Sequence, residues 1–117
     1  MSFIKKMLNK SSNEAVDVEE FLNTLEAEPD DLDNADAYVK PFVLKPDTDL
    51  KAIAKELKDG NMILLNVTEL IKRNPMRLKE QINKLKRFID EIDGDLARIS
   101  EDKLILTPAR IKIIKRK

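Results

Sequence analysis

The side chains that could take part in chemistry are almost all carboxylates and amines, because the 117-residue chain contains no histidine and no cysteine. That composition excludes thiolate nucleophiles and most zinc sites, and it removes the commonest acid–base group. Neighbouring carboxylates do occur: Asp90 with Asp93, Glu91 with Asp95, and Glu101 with Asp102. These pairs fall at a predicted helix end or in a turn, where solvation explains them better than catalysis. We therefore expect no enzyme, no cofactor and no metal.

Two other chemistries would depend on glycines or on basic residues. A phosphate-binding loop needs several glycines, and the chain has only Gly60 and Gly94. A nucleic-acid interface could use the C-terminal bases of residues 115–117 together with bases on a predicted helix, namely Lys79, Lys84, Lys86 and Arg87. Only five aromatic residues are present, and none stands in an RNA-binding arrangement. A basic helix face is usually a solvated one, so a small nucleic-acid-binding α/β protein remains the alternative function.

The net charge of zero conceals three differently charged blocks. Residues 1–10 carry Lys5, Lys6 and Lys10 and no acid, a charge of +3, whereas residues 11–36 carry ten acids and no base. Residues 37–117 hold the remaining 19 bases and 12 acids, a charge of +7. This asymmetry predicts a tail at 1–10, an acidic linker at 11–36 and a folded body at 37–117. The longest apolar run, at 62–65, is too short for a membrane span, and no secretory signal is present, so we expect a cytoplasmic protein.

The tail has the pattern of a helix that lies in the membrane interface. On a helical projection its apolar side chains fall within an arc of about 140°, and its basic side chains fall on the opposite side. The predicted membrane-binding residues are Phe3, Ile4, Lys5, Lys6, Met7, Leu8 and Lys10. Such a helix would form on an anionic bilayer, since ten residues are too few for a stable free helix. The alternative is a disordered start to the chain.

The linker is expected to be extended and mobile, because like charges repel and few apolar residues are present. One stretch qualifies this expectation, since Val16, Val18, Phe21, Leu22 and Leu25 could line one side of a short helix at 16–26. We interpret that stretch as a transient helix within a solvated linker. The alternative is a regulatory segment that covers an apolar groove on the body.

The body reads as an α/β sandwich (α+β), with two helices on one face of a roughly five-stranded sheet. The predicted order is β-α-β-α-β-β-β, with strands at 38–45, 62–67, 95–99, 104–107 and 111–113. The first helix has an N-cap in 47–49 and stops at Gly60. The second is capped by Asn74, opened by Pro75 and ended by Gly94. The last strand carries more apolar surface than a single-sided strand can bury, which favours a homodimer.

Residues 94–108, Gly-Asp-Leu-Ala-Arg-Ile-Ser-Glu-Asp-Lys-Leu-Ile-Leu-Thr-Pro, resemble the C-terminal signature of the SepF cell-division proteins. The shared pattern is Gly-Asp, a basic residue, a hairpin turn, and an apolar run that ends in Thr-Pro. The order of elements, the amphipathic N-terminus and the acidic linker are similar as well, so the resemblance covers essentially the whole chain. Ser100 stands where many bacterial members carry glycine, and the second helix is longer than theirs. Both features resemble the archaeal branch.

The resemblance implies an adaptor that anchors the tubulin-like GTPase FtsZ to the inner face of the cell membrane and helps organise the division ring. The implied partners are the FtsZ C-terminal tail, an anionic membrane surface and a second copy of the chain, with no nucleic acid and no small-molecule substrate. In the family, a basic residue before the hairpin turn and an apolar residue after it help hold the tail. The matching positions are Arg98 and Leu104.

Overall fold

The computed structural model describes residues 17–27 and 34–115, which fall into two compact units, Met1–Ala35 and Asp36–Lys117. The first unit contains helix α1 (Val18–Ala27), where the short helix was expected. Asp17 begins this helix, because its carboxylate accepts a hydrogen bond of 3.1 Å from the backbone N–H of Glu20. Val18, Leu22 and Leu25 are exposed along α1.

The second unit contains four strands and three helices, and its α/β class confirms the prediction. In chain order they are β1 (Val39–Val43), α2 (Leu50–Lys58), β2 (Met62–Asn66), α3 (Thr68–Arg73), α4 (Pro75–Glu91), β3 (Asp95–Ser100) and β4 (Lys103–Thr107). The sheet order is β1-β2-β4-β3, with β1 parallel to β2 and the other neighbours antiparallel. No helix of the described residues has the length and apolar character needed to cross a bilayer.

Local sequence explains where the two longer helices of this unit begin. The carboxylate of Asp49 accepts from the N–H of Lys51 at 2.9 Å, and the side-chain oxygen of Asn74 accepts from the N–H of Arg77 at 3.1 Å. Pro75 occupies the first turn of α4, where its missing N–H costs nothing. Both caps are at the predicted positions.

The core lies between one face of the sheet and helices α2 and α4. Alternate strand residues point to that face. The buried apolar residues include Leu44, Ile63, Leu65, Leu104 and Leu106 from the strand side and Ile53, Leu57, Leu85 and Ile89 from the two helices. The opposite face retains exposed apolar side chains, among them Val39, Val43 and Ile99. The sheet is therefore covered on one side by the helices of its own unit.

The prediction of a fifth strand at 111–113 was wrong, because residues 111–115 have no regular secondary structure. Apolar and basic residues do alternate in this segment, but a backbone N–H group of the segment donates its hydrogen bond to a side chain. The N–H of Ile113 donates to Oδ2 of Asp95 at 2.8 Å, where a strand would bond to a neighbouring main chain. Arg110, with a φ of 68°, turns the chain before this segment. The sheet therefore has four strands.

The sequence prediction also missed helix α3. The sequence predicts a strand at 62–67 and no further element before the cap at Asn74, whereas β2 ends at Asn66 and α3 begins at Thr68. The side-chain oxygen of Asn66 accepts from the N–H of Thr68 at 2.9 Å, which starts a new helix at that point. Only Leu70 of the six residues in α3 is buried, so the helix has almost no apolar pattern to reveal it.

Candidate functional site

Arg98 and Leu104, the two residues predicted to hold a partner, are directly opposite one another on β3 and β4. The pairing register shifts between Arg98 and Ser100, at the point where β3 enters the turn. The Leu104 side chain is only 9% exposed and belongs to the hydrophobic core, whereas Arg98 is exposed. The hairpin thus presents the arginine to solvent and uses the leucine chiefly to pack the body.

The guanidinium of Arg98 is held by the turn that follows it. Its Nε donates to the carbonyl oxygen of Ser100 at 3.0 Å, and one terminal nitrogen donates to the carbonyl oxygen of Glu101. Neither acceptor is charged, and no carboxylate of the described residues forms an ion pair with Arg98. The positive charge is therefore fixed in direction while remaining available to a ligand.

Beside this arginine lies an open surface pocket of about 350 Å³. Its lining residues are Thr68, Ile71, Lys72, Arg98, Glu101 and Asp102, contributed by α3 and by the end of the β3–β4 hairpin. Ile71 is 39% exposed and supplies apolar surface. The pocket therefore combines an apolar residue with side chains of both charges, an arrangement suited to a short peptide rather than to a simple ion.

A hydrogen-bond network joins the two elements that form the pocket. The hydroxyl of Thr68 lies 2.7 Å from Oδ2 of Asp102 and 2.6 Å from Oδ1 of Asn66, and its single proton is shared between these two acceptors. The N–H of Val67 donates to the carbonyl oxygen of Asp102 at 2.9 Å. The turn is thereby fastened to the junction between β2 and α3.

The carboxylate of Asp102 is stabilised in its charged form. The hydrogen bond from Thr68 is the largest influence that lowers its pKa from the ordinary value, and the hydrogen bond from Lys103 is the next. Lys103 also forms an ion pair with Asp102 at 3.3 Å. The donors around Asp102 therefore satisfy its charge from within the protein.

Two of the carboxylates in the candidate acid–base pairs, Asp93 and Asp95, hold the C-terminal segment in place. Asp93 forms an ion pair with Lys112 at 2.8 Å, and Asp95 forms one with Lys115 at 2.7 Å. The hydrogen bond from Lys115 is the main influence that lowers the pKa of Asp95 to about 2, followed by the bond from the N–H of Ile113. Among the described residues, no group of three acidic side chains could hold a metal ion.

The predicted membrane-binding residues, Phe3, Ile4, Lys5, Lys6, Met7, Leu8 and Lys10, lie outside the described residues. Sequence reasoning did not identify Ile71 and Lys72, although the pocket places both beside Arg98. An exposed isoleucine followed by a lysine in a short helix is too common a pattern to signal a site. The proximity of these residues to the hairpin, 26 positions along the chain, arises only from folding.

The second unit is a small α/β body with an open surface pocket between α3 and the β3–β4 hairpin. A family model described as cell division protein SepF matches residues 39–113. The chain therefore belongs to the SepF family of cell-division proteins, and it is not an enzyme.

Individual relatives agree with this assignment. The cell division protein SepF of Haloferax volcanii is 28% identical over 69 residues, a match that covers 59% of this chain and 58% of that protein. A SepF-like protein from Pyrococcus furiosus is 35% identical with a TM-score of 0.63, over 71% of this chain and all of that one. SepF from Methanobrevibacter smithii, in complex with FtsZ-CTD, has the same fold: the TM-score is 0.58 at 15% identity, over 68% of this chain and 99% of the other.

Proposed function

We propose that this protein is an adaptor that anchors FtsZ to the inner face of the cell membrane and helps organise the division ring. One observation carries the proposal: the hairpin pocket presents a fixed arginine beside an exposed isoleucine, which is what a short tail of apolar and charged residues requires. The family assignment supports it, and so does the complex formed by the Methanobrevibacter smithii relative.

In this proposal the FtsZ C-terminal tail binds beside Arg98. A guanidinium can hold a carboxylate of the tail at two points, and Ile71 offers an apolar surface for a neighbouring side chain. Leu104 supports the site from beneath, since its side chain packs in the core at the position opposite Arg98. Its contribution to partner binding is therefore to hold the hairpin in place.

Membrane attachment is proposed for residues 1–10, with residues 11–36 as the acidic linker and residues 37–117 as the body. The apolar arc of the first segment would enter the bilayer and its three lysines would meet anionic headgroups. The ten acids of the linker would be repelled by the same surface. This arrangement would keep the body clear of the membrane and accessible to FtsZ.

The proposed assembly is a homodimer that forms through the sheet face opposite the helices. Val39 and Val43 of β1 are about half exposed on that face, and Leu64 and Ile105 of the central strands lie between them and β3. A flat apolar face can pack against an identical one about a two-fold axis. Two copies would also place two membrane segments on one bilayer, which increases avidity.

Calorimetry tests the proposal on the full-length protein, with a synthetic peptide of the host's FtsZ C-terminal tail. Arg98→Glu should weaken binding at least tenfold, because it replaces the fixed cation with a negative charge that repels the carboxylate of the tail. Arg87→Glu, an equal charge change at an exposed position of α4, is the matched control and should bind as the unaltered protein does. If Arg98→Glu binds the tail as tightly as the control, the hairpin is not the site.

A further inference from the structure

Within the proposed tail-binding site, we propose that Glu101 selects the partner: the pocket accepts a segment in which an acidic and a basic side chain flank an apolar one, and Glu101 binds the basic side chain. This inference rests on the proposed function and adds the charge pattern of the ligand. The observation behind it is that one pocket contains charged side chains of both signs that form no ion pair within the described part of the chain.

Three of the four charged side chains that line the pocket form no ion pair. Lys72 and Arg98 have no carboxylate partner, and the Glu101 carboxylate has no cationic partner, among residues 17–27 and 34–115. Asp102 differs, because Thr68, Ser100 and Lys103 all donate to its carboxylate. The charges available to a ligand are therefore two cations and one anion.

The Arg98 guanidinium bonds to main-chain carbonyls of the turn rather than to the Glu101 carboxylate. Arg98 is tied to the turn by its bonds to the carbonyl oxygens of Ser100 and Glu101, so its guanidinium is directed along the main chain of the turn. Glu101 occupies the tip of that turn, and its side chain is exposed. Arg98 lies near the end of β3 and Glu101 lies in the turn that follows it, and these two side chains form no ion pair with each other.

Charge complementarity then restricts the ligand. A uniformly acidic segment would be attracted by Lys72 and Arg98 but repelled by Glu101. A uniformly basic segment would be attracted by Glu101 but repelled by the two cations. A segment of mixed sign offers a partner to pocket charges of both signs, and its apolar side chain can pack on Ile71. Because the Glu101 side chain is exposed to solvent, its charge pair should change the affinity by about three- to fivefold, less than the tenfold expected at the guanidinium of Arg98, which hydrogen bonds to the turn hold in place.

The test is a charge-reversal cycle between Glu101 and the peptide. The full-length protein, its Glu101→Lys variant and a Glu91→Lys control are titrated by calorimetry at low salt. The titrants are the host's FtsZ tail peptide and peptides in which each lysine or arginine is replaced in turn by glutamate. Glu91 is exposed at the end of α4 and does not line the pocket, so its reversal matches the change in net charge.

We expect the Glu101→Lys variant to bind the unaltered peptide with an affinity about three- to fivefold lower than that of the unaltered protein. We also expect the variant to bind one of the charge-reversed peptides more tightly than the unaltered protein does. The control should show neither effect. If Glu101→Lys binds the unaltered peptide equally or more tightly, or if no reversed peptide is rescued, Glu101 does not select the partner, although the tail site at Arg98 stands. If the unaltered protein binds no tail peptide at all, the proposed function fails, and this inference fails with it.

Discussion

The hydroxyl of Thr68 lies 2.7 Å from Oδ2 of Asp102, a residue 34 positions further along the chain, and this hydrogen bond joins the start of α3 to the β3–β4 turn. Both sides of the pocket depend on it, since α3 carries Ile71 and Lys72 while the turn holds Arg98. The pocket is thus assembled from two local structures that have no sequence proximity. Its shape should respond to changes in this bond.

Replacing Thr68 with valine removes the hydroxyl while keeping the shape of the side chain. We expect the free energy of unfolding to fall by about 1 kcal/mol, because Asp102 loses a donor in a partly buried site. For a body of this size the melting temperature should fall by about 4–8 °C. Ser100→Ala removes the longer, exposed hydrogen bond of 3.3 Å to the same carboxylate and serves as the control. Equal melting temperatures for the two variants would show that the Thr68 bond contributes nothing.

Substitutions of Leu104 and Arg98 should affect the stability of the protein very differently. Leu104→Ser places a hydroxyl in the core and leaves a cavity, so we expect a loss of about 3 kcal/mol or more in the free energy of unfolding. Arg98→Glu should change that free energy by less than about 0.5 kcal/mol, because the side chain is exposed. Urea unfolding followed by circular dichroism measures both. A Leu104→Ser variant with unchanged stability would contradict the core position of this side chain.

The open sheet face should control the oligomeric state. Val43→Glu puts a charge on an apolar side chain that is 51% exposed on this face, and it should shift the protein from dimer to monomer at micromolar concentration. Met76→Glu makes the same change at a 69% exposed position on α4 and should leave the dimer intact. Light scattering gives the mass of each variant. A monomeric unaltered protein, or a dimer insensitive to Val43→Glu, would refute the proposed interface.

The first ten residues should determine membrane binding. Phe3→Glu combined with Leu8→Glu should abolish co-sedimentation with anionic liposomes, because burial contributes about 0.8 kcal/mol per CH₂ and each lysine about 1 kcal/mol. Phe3→Leu with Leu8→Met keeps the apolar arc and should retain binding. In a parallel assay we expect no binding to duplex or single-stranded nucleic acid. Undiminished liposome binding by the double-glutamate variant would place the anchor elsewhere.

The body should lose stability in acid through Asp95. Its pKa is lowered to about 2 from an ordinary value of 3.8, so the folded state favours the charged carboxylate. The resulting stabilisation is complete above pH 4 and disappears as the pH falls towards 2. Asp95→Asn should reduce this dependence of the melting temperature on pH. Part of the dependence should remain, because the pKa values of Asp93 and Asp102 are lowered too.

Asp90→Asn, at the exposed end of α4, is the control for this measurement. Its carboxylate forms no ion pair among the described residues, so the variant should keep the full acid sensitivity of the unaltered protein. Identical pH profiles for Asp95→Asn and the control would show that the interaction of Asp95 with Lys115 and Ile113 does not stabilise the fold.

Much of the fold could be predicted from local sequence because the signals act over a few residues. The caps at Asp49 and Asn74 bond to the backbone two and three positions away, and they define where α2 and α4 begin. The hairpin could also be predicted from local sequence, since the alternation of apolar residues on both sides of a polar turn sets the strand pairing that places Arg98 opposite Leu104. Each of these features depends on chemistry contained within about a dozen residues.

Other features depend on contacts between distant residues, and the tertiary structure alone decided them. The alternation at 111–113 predicted a strand, but Asp95, on a strand 18 positions earlier, binds the N–H of Ile113 and prevents one. The pocket likewise needs Asp102 to bind Thr68 before Ile71 and Lys72 can lie beside Arg98. A sequence pattern records which side chains a segment carries. Which of them meet depends on how packing of the core brings segments together, and that is determined by the whole chain at once.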